Sequence, residues 1–186
     1  IAYWIHHFEL NESEIRWKNI CLRKVKYCCI YKIAEFNHKL LNNTLSCGFY
    51  VNKWNKNVPA KCLHCSLNHD VKHMLFDCSN VNFIWQKLSV SFNINFTWKK
   101  ILFGFGNASK YAKSNVKLNN LVSLICFLFY KIWIQKGSQF TALNLKYFLL
   151  GELDFYNRIQ TKCNIEFIEL SQLTKVYDVV QNLFAI

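Results

Sequence analysis

Carboxylates are scarce in this chain of 186 residues: Asp and Glu number 11 against 23 Lys and Arg, leaving a formal charge of +12. Only Asp70, Asp77, Asp154 and Asp178 are aspartates, and none adjoins another. Two-metal phosphoryl transfer needs clustered carboxylates, so this dispersal argues against a polymerase-type centre. Glycine is rare too, with five in all. Gly104-Phe105-Gly106 has neither the full glycine pattern nor the Gly-Lys-Ser/Thr ending of a phosphate-binding loop. No apolar run reaches the roughly twenty residues of a membrane span. Leu121 to Ile134 comes closest but contains Ser123 and Lys131, and is expected to be a buried central helix rather than a span. No targeting signal or internal repeat is visible. A chain that opens on Ile1 rather than Met fits a fragment of a longer protein, and processing would give the same start.

Cysteine, by contrast, is plentiful. Nine is an odd number, and the adjacent Cys28-Cys29 is badly placed for two separate bridges, so a reducing, intracellular compartment is expected rather than a secreted disulfide scaffold. Cys21, Cys28, Cys29, Cys47, Cys126 and Cys163 then read as core or bystander thiols. The other three cluster. Cys62-Leu63-His64-Cys65 is a Cys-x-x-Cys turn, His73 follows a gap of seven residues, and Cys78 a gap of four. Three thiols and an imidazole at these spacings can close around one Zn2+ as a tetrahedral Cys3His site. His69 is the rival ligand and could replace Cys78 in a Cys2His2 set, although thiolate softness favours three sulfurs. His64 is expected to face solvent.

Asp70 can cap a short helix over Val71 to Asp77 that carries His73. Residues five apart on an ideal helix lie roughly 140° apart around its axis, so the helix must loosen or end before Cys78 if both are to meet one ion. Asp77 shares the face of His73 and could accept its other ring N–H.

These residues resemble the zinc-binding domain that follows the polymerase in non-LTR (LINE-type) retrotransposon reverse transcriptases. The resemblance rests on Cys62, Cys65, His73-Met74-Leu75-Phe76-Asp77-Cys78 and Trp85, and its specificity lies in that zinc segment. Glu35-Phe36, Leu40-Leu41 and Lys53-Trp54 look like the family's helical lead-in, and Ile101-Leu102-Phe103-Gly104 with Tyr130-Lys131-Ile132 like the extension of animal elements. The family usually has Glu and then Thr or Ser just before the His, where this chain has His69-Asp70. The resemblance implies a module, nuclear in residence, that helps the rest of a parent reverse transcriptase hold template RNA or target DNA. It does not imply a polymerase in this piece.

Charge placement points the same way. Residues 16–61 carry ten basic residues against Glu35 alone, and residues 78–151 carry nine lysines and no acid. Two basic blocks flanking a metal site suit a polyanion, nucleic acid first among them, and an anionic membrane surface would satisfy the same argument. Lys53, Trp54, Lys56, Lys61 and Lys72 are the candidate contacts; Trp54 is able to stack on a base while the lysines hold phosphates, although a tryptophan in such a setting is more often a core residue. Because four protein ligands leave zinc no open position, and the Cys and His cluster is better explained by metal than by a cysteine nucleophile, no catalysis is expected of this chain. The alternative is a structural or protein-docking appendage that binds no nucleic acid.

The expected fold is mainly α, a helical domain with a small embedded zinc-binding lobe and little or no sheet. Its segments are a basic helical lead-in (1–61), the zinc segment (62–80) and a helical extension (81–186) expected to form one compact unit with the rest. Helices are expected over Ser13 to Cys21, over Cys28 to Asn43 with Cys29, Ile33, Phe36 and Leu40 inward, and after a Ser79 cap through Val81, Ile84, Trp85 and Leu88. Others are expected from Thr97 to Gly104, Thr141 to Thr161 and Ile165 to Phe184. The last two would bury Leu143, Tyr147 and Leu150, and Leu173, Val176, Tyr177 and Val180. Lys24 to Tyr27 reads as a basic linker, Asn52 to Ala60 and Gly106 to Ser114 as loops, and Val90 to Phe96 as a short strand or extended link.

Overall fold

The computed structural model describes residues 2–8, 17–21, 24–25, 28, 30–105, 113–136, 141–163 and 167–183. It is a mainly α protein. The helices are α1 (Ala2–His7), α2 (Trp17–Cys21), α3 (Tyr31–Leu41), α4 (Gly48–Trp54), α5 (Ser79–Phe92), α6 (Trp98–Phe103), α7 (Lys113–Lys136), α8 (Ala142–Cys163) and α9 (Leu170–Gln181), with a π-helical turn (His73–Asp77) ahead of α5. Among the described residues there is no sheet; one isolated bridge pairs Lys61 with Asn68.

α7 is the axis of the packing, touching α3, α6, α8, α9 and the π-turn. It is longer than the apolar run alone suggested, and Val116–Gln135 is long and apolar enough to cross a membrane. Burial decides its role: 72% of that window lies inside the protein, as in a core helix. Leu121, Val122, Leu124, Ile125, Leu128, Phe129, Ile132 and Trp133 are all buried. The polar groups this helix takes inside have partners. Asn119 Oδ1 accepts from Phe105 N at 2.7 Å and its Nδ2 donates to Phe105 O at 3.3 Å, fixing the chain as it leaves α6. Asn120 Nδ2 donates to Phe167 O at 3.1 Å.

α3 buries Ile33, Phe36, Asn37, Leu40 and Leu41, the face expected from periodicity, while Cys29 lies outside the described residues. Instead of a solvated linker, Lys24 is buried, its carbonyl accepting from Asn37 Nδ2 at 2.6 Å and its Nζ donating to Ser123 Oγ at 3.3 Å. Thr97 caps α6 as expected, its side chain accepting from Lys100 N at 3.3 Å.

Elsewhere the chain departs from its reading. α4 occupies Gly48–Trp54, so Lys53 and Trp54 are helical rather than in the loop expected over Asn52 to Ala60. Cys78, not Ser79, is the cap residue of α5. The alternating Val90 to Phe96 is no strand: α5 runs to Phe92 and stops at Asn93, left-handed at φ 52°, whose N–H reaches Ser89 O and Val90 O. Leu143 and Tyr147 are exposed, because α8 buries Leu145, Leu149, Leu153 and Tyr156. α9 begins at Leu170 and buries Leu173, Val176 and Val180, leaving Tyr177 exposed. Of the 13–21 helix only Trp17–Cys21 is described, and of the 106–114 loop only residues 113 and 114, both helical.

Candidate metal centre

Cys62 and Cys65 sit on a tight turn that closes on itself. Cys62 N donates to Leu67 O at 2.8 Å and Ser66 N to Cys62 O at 2.8 Å, with Ser66 in the left-handed region at φ 57°. His69 N donates to Ala60 O at 2.8 Å, so both arms of the knuckle are pinned to each other. The chain then turns at Asp70, whose Oδ1 accepts from His73 N at 2.8 Å and caps the next turn.

The five-residue separation of His73 and Cys78 is accommodated by widening. Over His73–Asp77 the helix is π, and Cys78 N donates to His73 O at 2.8 Å, an i to i+5 bond that brings the fifth residue back over the first. Cys78 then leaves helical geometry at φ −57° and ψ 133° before α5 begins. Trp85 Nε1 donates to Leu75 O at 2.9 Å and ties α5 back to this turn.

The result is one cluster. Ligand atoms of Cys62, Cys65, His73 and Cys78 all lie within 4.8 Å of one another, and Cys78 Sγ is 3.9 Å from the Sγ of both Cys62 and Cys65. A disulfide needs about 2.05 Å. Two sulfurs on a tetrahedral zinc, each at about 2.3 Å, stand about 3.8 Å apart, so the observed gaps are close to those that thiolates sharing an ion would have. His73 Nε2 is buried and without a hydrogen-bond partner, a lone position that a metal would fill. Nothing about the donor set resists a metal; three sulfurs and a neutral imidazole are soft to borderline ligands.

The electrostatics fit that use. Burial lowers the His73 pKa against the opposing pull of Asp70 and Asp77, keeping the imidazole neutral and ligand-ready at pH 7. Burial, then the neighbouring Cys62, pushes the Cys78 thiol up to about 12. Burial also pushes on Cys65, but hydrogen bonds from Ser79 Oγ and N, at 3.2 and 3.3 Å, outweigh it and leave that thiol lowered. Ser79 is the first residue of α5, so its N–H brings the positive end of the helix to the sulfur. Sequence reading missed this role; the signal was a hydroxyl immediately after a ligand cysteine and at a helix start.

His69 lies beside the cluster but not in it. Its Nδ1 accepts from Gly48 N at 3.2 Å, and its ring lies against Trp133 at 4.9 Å. Burial, with His73 adding, depresses its pKa to about 4, so it is neutral. A neutral ring whose Nδ1 accepts carries its proton on Nε2 and has no lone pair left for a metal. No hydrogen bond joins Asp77 to His73; its carboxylate is 3.2 Å from Lys72 Nζ instead. His64 is exposed.

No family model, curated protein or solved structure matches this chain.

The remaining candidate residues lie outside the cluster. Lys53, Trp54, Lys56 and Lys61 are exposed on α4 and the loop after it, with Lys53 Nζ 5.2 Å from the centre of the Phe49 ring. Lys72 is half-buried and its charge is already balanced by Asp77. α4 is nonetheless joined to the metal lobe: Phe49 N donates to His69 O at 3.0 Å and Asn52 Nδ2 to Val58 O at 2.7 Å.

Proposed function

We propose that this chain is a zinc-stabilised nucleic-acid-binding module, a C-terminal piece of a non-LTR retrotransposon reverse transcriptase that helps the parent enzyme hold template RNA or target DNA in the nucleus. The observation that carries this reading is the Cys3His cluster, built from the Cys-x-x-Cys and His-Met-Leu-Phe-Asp-Cys segments on which the resemblance rests. Zn2+ is the metal of choice because three thiolates and one imidazole in a closed tetrahedron suit it, and a closed site serves structure rather than chemistry. The module is noncatalytic on this account: metal binding holds the knuckle, the π-turn and the start of α5 together, and basic residues outside the site meet phosphate.

The test is binding of the zinc-loaded protein to labelled RNA and DNA across a salt series. Affinity should fall linearly on a log–log plot, with a slope set by the number of phosphates neutralised. Absence of binding at low salt would reject the reading. It would favour a protein-docking appendage, for which the groove of about 250 Å³ between α8 and α9, where Leu153, Leu170, Leu173 and Tyr177 stand among Asp154, Asn157 and Thr174, is the supporting feature.

A further inference from the structure

Trp54 is the most exposed large apolar side chain described, at 89% of its surface, although tryptophan is normally well covered. It stands at the C-terminal end of α4 and is held outward by the turn that follows. Asn55 N donates to Val51 O at 2.8 Å, Asn57 N to Asn55 Oδ1 at 3.0 Å, Val58 N to Asn55 O at 3.1 Å, and Asn52 Nδ2 reaches Val58 O. The ring is thus carried on a fixed support, which lowers the ordering cost of any contact it makes.

Its surroundings are cationic and amide-rich. Lys53 and Lys56 flank it, Lys61 follows the same loop, and all three are exposed. Between Glu35 and Asp70 the sequence contains no acid. Asn55 and Asn57, close to Trp54 in sequence, are exposed and carry further amide donors. No second apolar side chain stands among residues 52–57, so the tip lacks the wedge that would insert into a lipid surface.

Resting on the nucleic-acid reading above, we propose that Trp54 is a stacking platform for an unpaired base, and that the α4 tip therefore selects single-stranded over duplex nucleic acid, with Lys53, Lys56 and Lys61 on the adjoining phosphates. An indole face needs an open base face, which a single strand offers at every nucleotide and a duplex offers only at its ends. Stacking is tolerant of sequence, so the selection is for strandedness rather than for base.

The experiment measures binding of the full zinc-loaded chain to a single-stranded oligonucleotide and to a duplex of equal length, for wild type, Trp54→Ala, Trp54→Phe and Lys53→Ala/Lys56→Ala. Trp54→Ala should weaken single-strand binding by between about fivefold and 150-fold, the range of one base–aromatic stack, and leave duplex binding and the salt slope unchanged. Trp54→Phe should recover part of the loss, and the lysine variant should instead flatten the salt slope. Equal binding of both strand forms, indifferent to Trp54, would overturn this inference while leaving the module intact. No binding to either form would overturn both. Trp54-dependent binding to phosphatidylserine vesicles, with none to oligonucleotides, would overturn it in favour of a lipid surface.

Discussion

Gly48 is where the metal lobe meets α4, and replacing it by alanine should loosen that seam. An added Cβ would lie 2.6 Å from Pro59 O, 2.8 Å from His69 Nδ1 and 3.1 Å from His69 Cβ. The first of these is a backbone carbonyl, held in a loop whose neighbour Ala60 O already accepts from His69 N, so it cannot swing aside as a flexible side chain would. Relief requires α4 to lift. Overpacking of this kind costs about 1–3 kcal/mol, and lifting also stretches the hydrogen bond from Gly48 N to His69 Nδ1, worth about 1 kcal/mol. Alanine returns at most about 1 kcal/mol of helix propensity. The net expectation is a loss of about 1–3 kcal/mol. Urea unfolding at fixed free zinc should show the midpoint falling by about 1 M at unchanged slope, for a typical slope near 2 kcal/mol/M. Gly151→Ala is the control, because a Cβ there meets nothing within 4 Å and the change should stabilise α8 by about 0.5–1 kcal/mol. A Gly48→Ala midpoint equal to or above wild type would refute the seating of α4 on His69 and Pro59.

Other outcomes follow from the same geometry. Asp70→Ala removes the cap on His73 N and should cost about 0.5–2 kcal/mol in urea unfolding, with weaker zinc retention against a chelator because the ligand-bearing turn loses its anchor. Asn119→Ala leaves the buried Phe105 N–H without its acceptor and should cost about 1–3 kcal/mol, measured the same way, with no change in metal stoichiometry. With its thiol pushed up to about 12, Cys78 is protonated at neutral pH before metal binds. Zinc must displace that proton, so calorimetry in buffers of different ionisation heat should detect proton release. Apparent affinity should rise with pH, about tenfold per unit for each proton displaced. His73, with its pKa lowered, should contribute no proton at pH 7.

The metal cluster was legible because ligand chemistry demands particular residue types at short spacings, and even the conflict between His73 and Cys78 announced a loosened helix. The form of that loosening was not legible, since a π-turn has no residue signature; Met74 and Leu75, buried within it, would read the same way in an α-helix. α3 and α6 were readable from periodicity and the Thr97 cap. α4 was not: Gly48–Trp54 buries only Gly48 and has no side-chain cap, so it is set by its tie to His69, which lies distant in sequence. In α8 the apolar residues cover more than one face, and the partner helices choose Leu145 and Leu149 over Leu143 and Tyr147. Alternation at Val90 to Phe96 imitated a strand because a helix end and an extended link happened to present apolar residues two apart. The extent of α7 was underestimated because its first turns are polar.

The most direct test of the central claim is metal content by native mass spectrometry of the wild type beside Cys62→Ser, Cys78→Ser, His73→Gln and His69→Gln. One zinc per chain, kept by His69→Gln and lost or sharply weakened in the other three, is the predicted result. No zinc in the wild type, or zinc lost in His69→Gln and kept in Cys78→Ser, would contradict it.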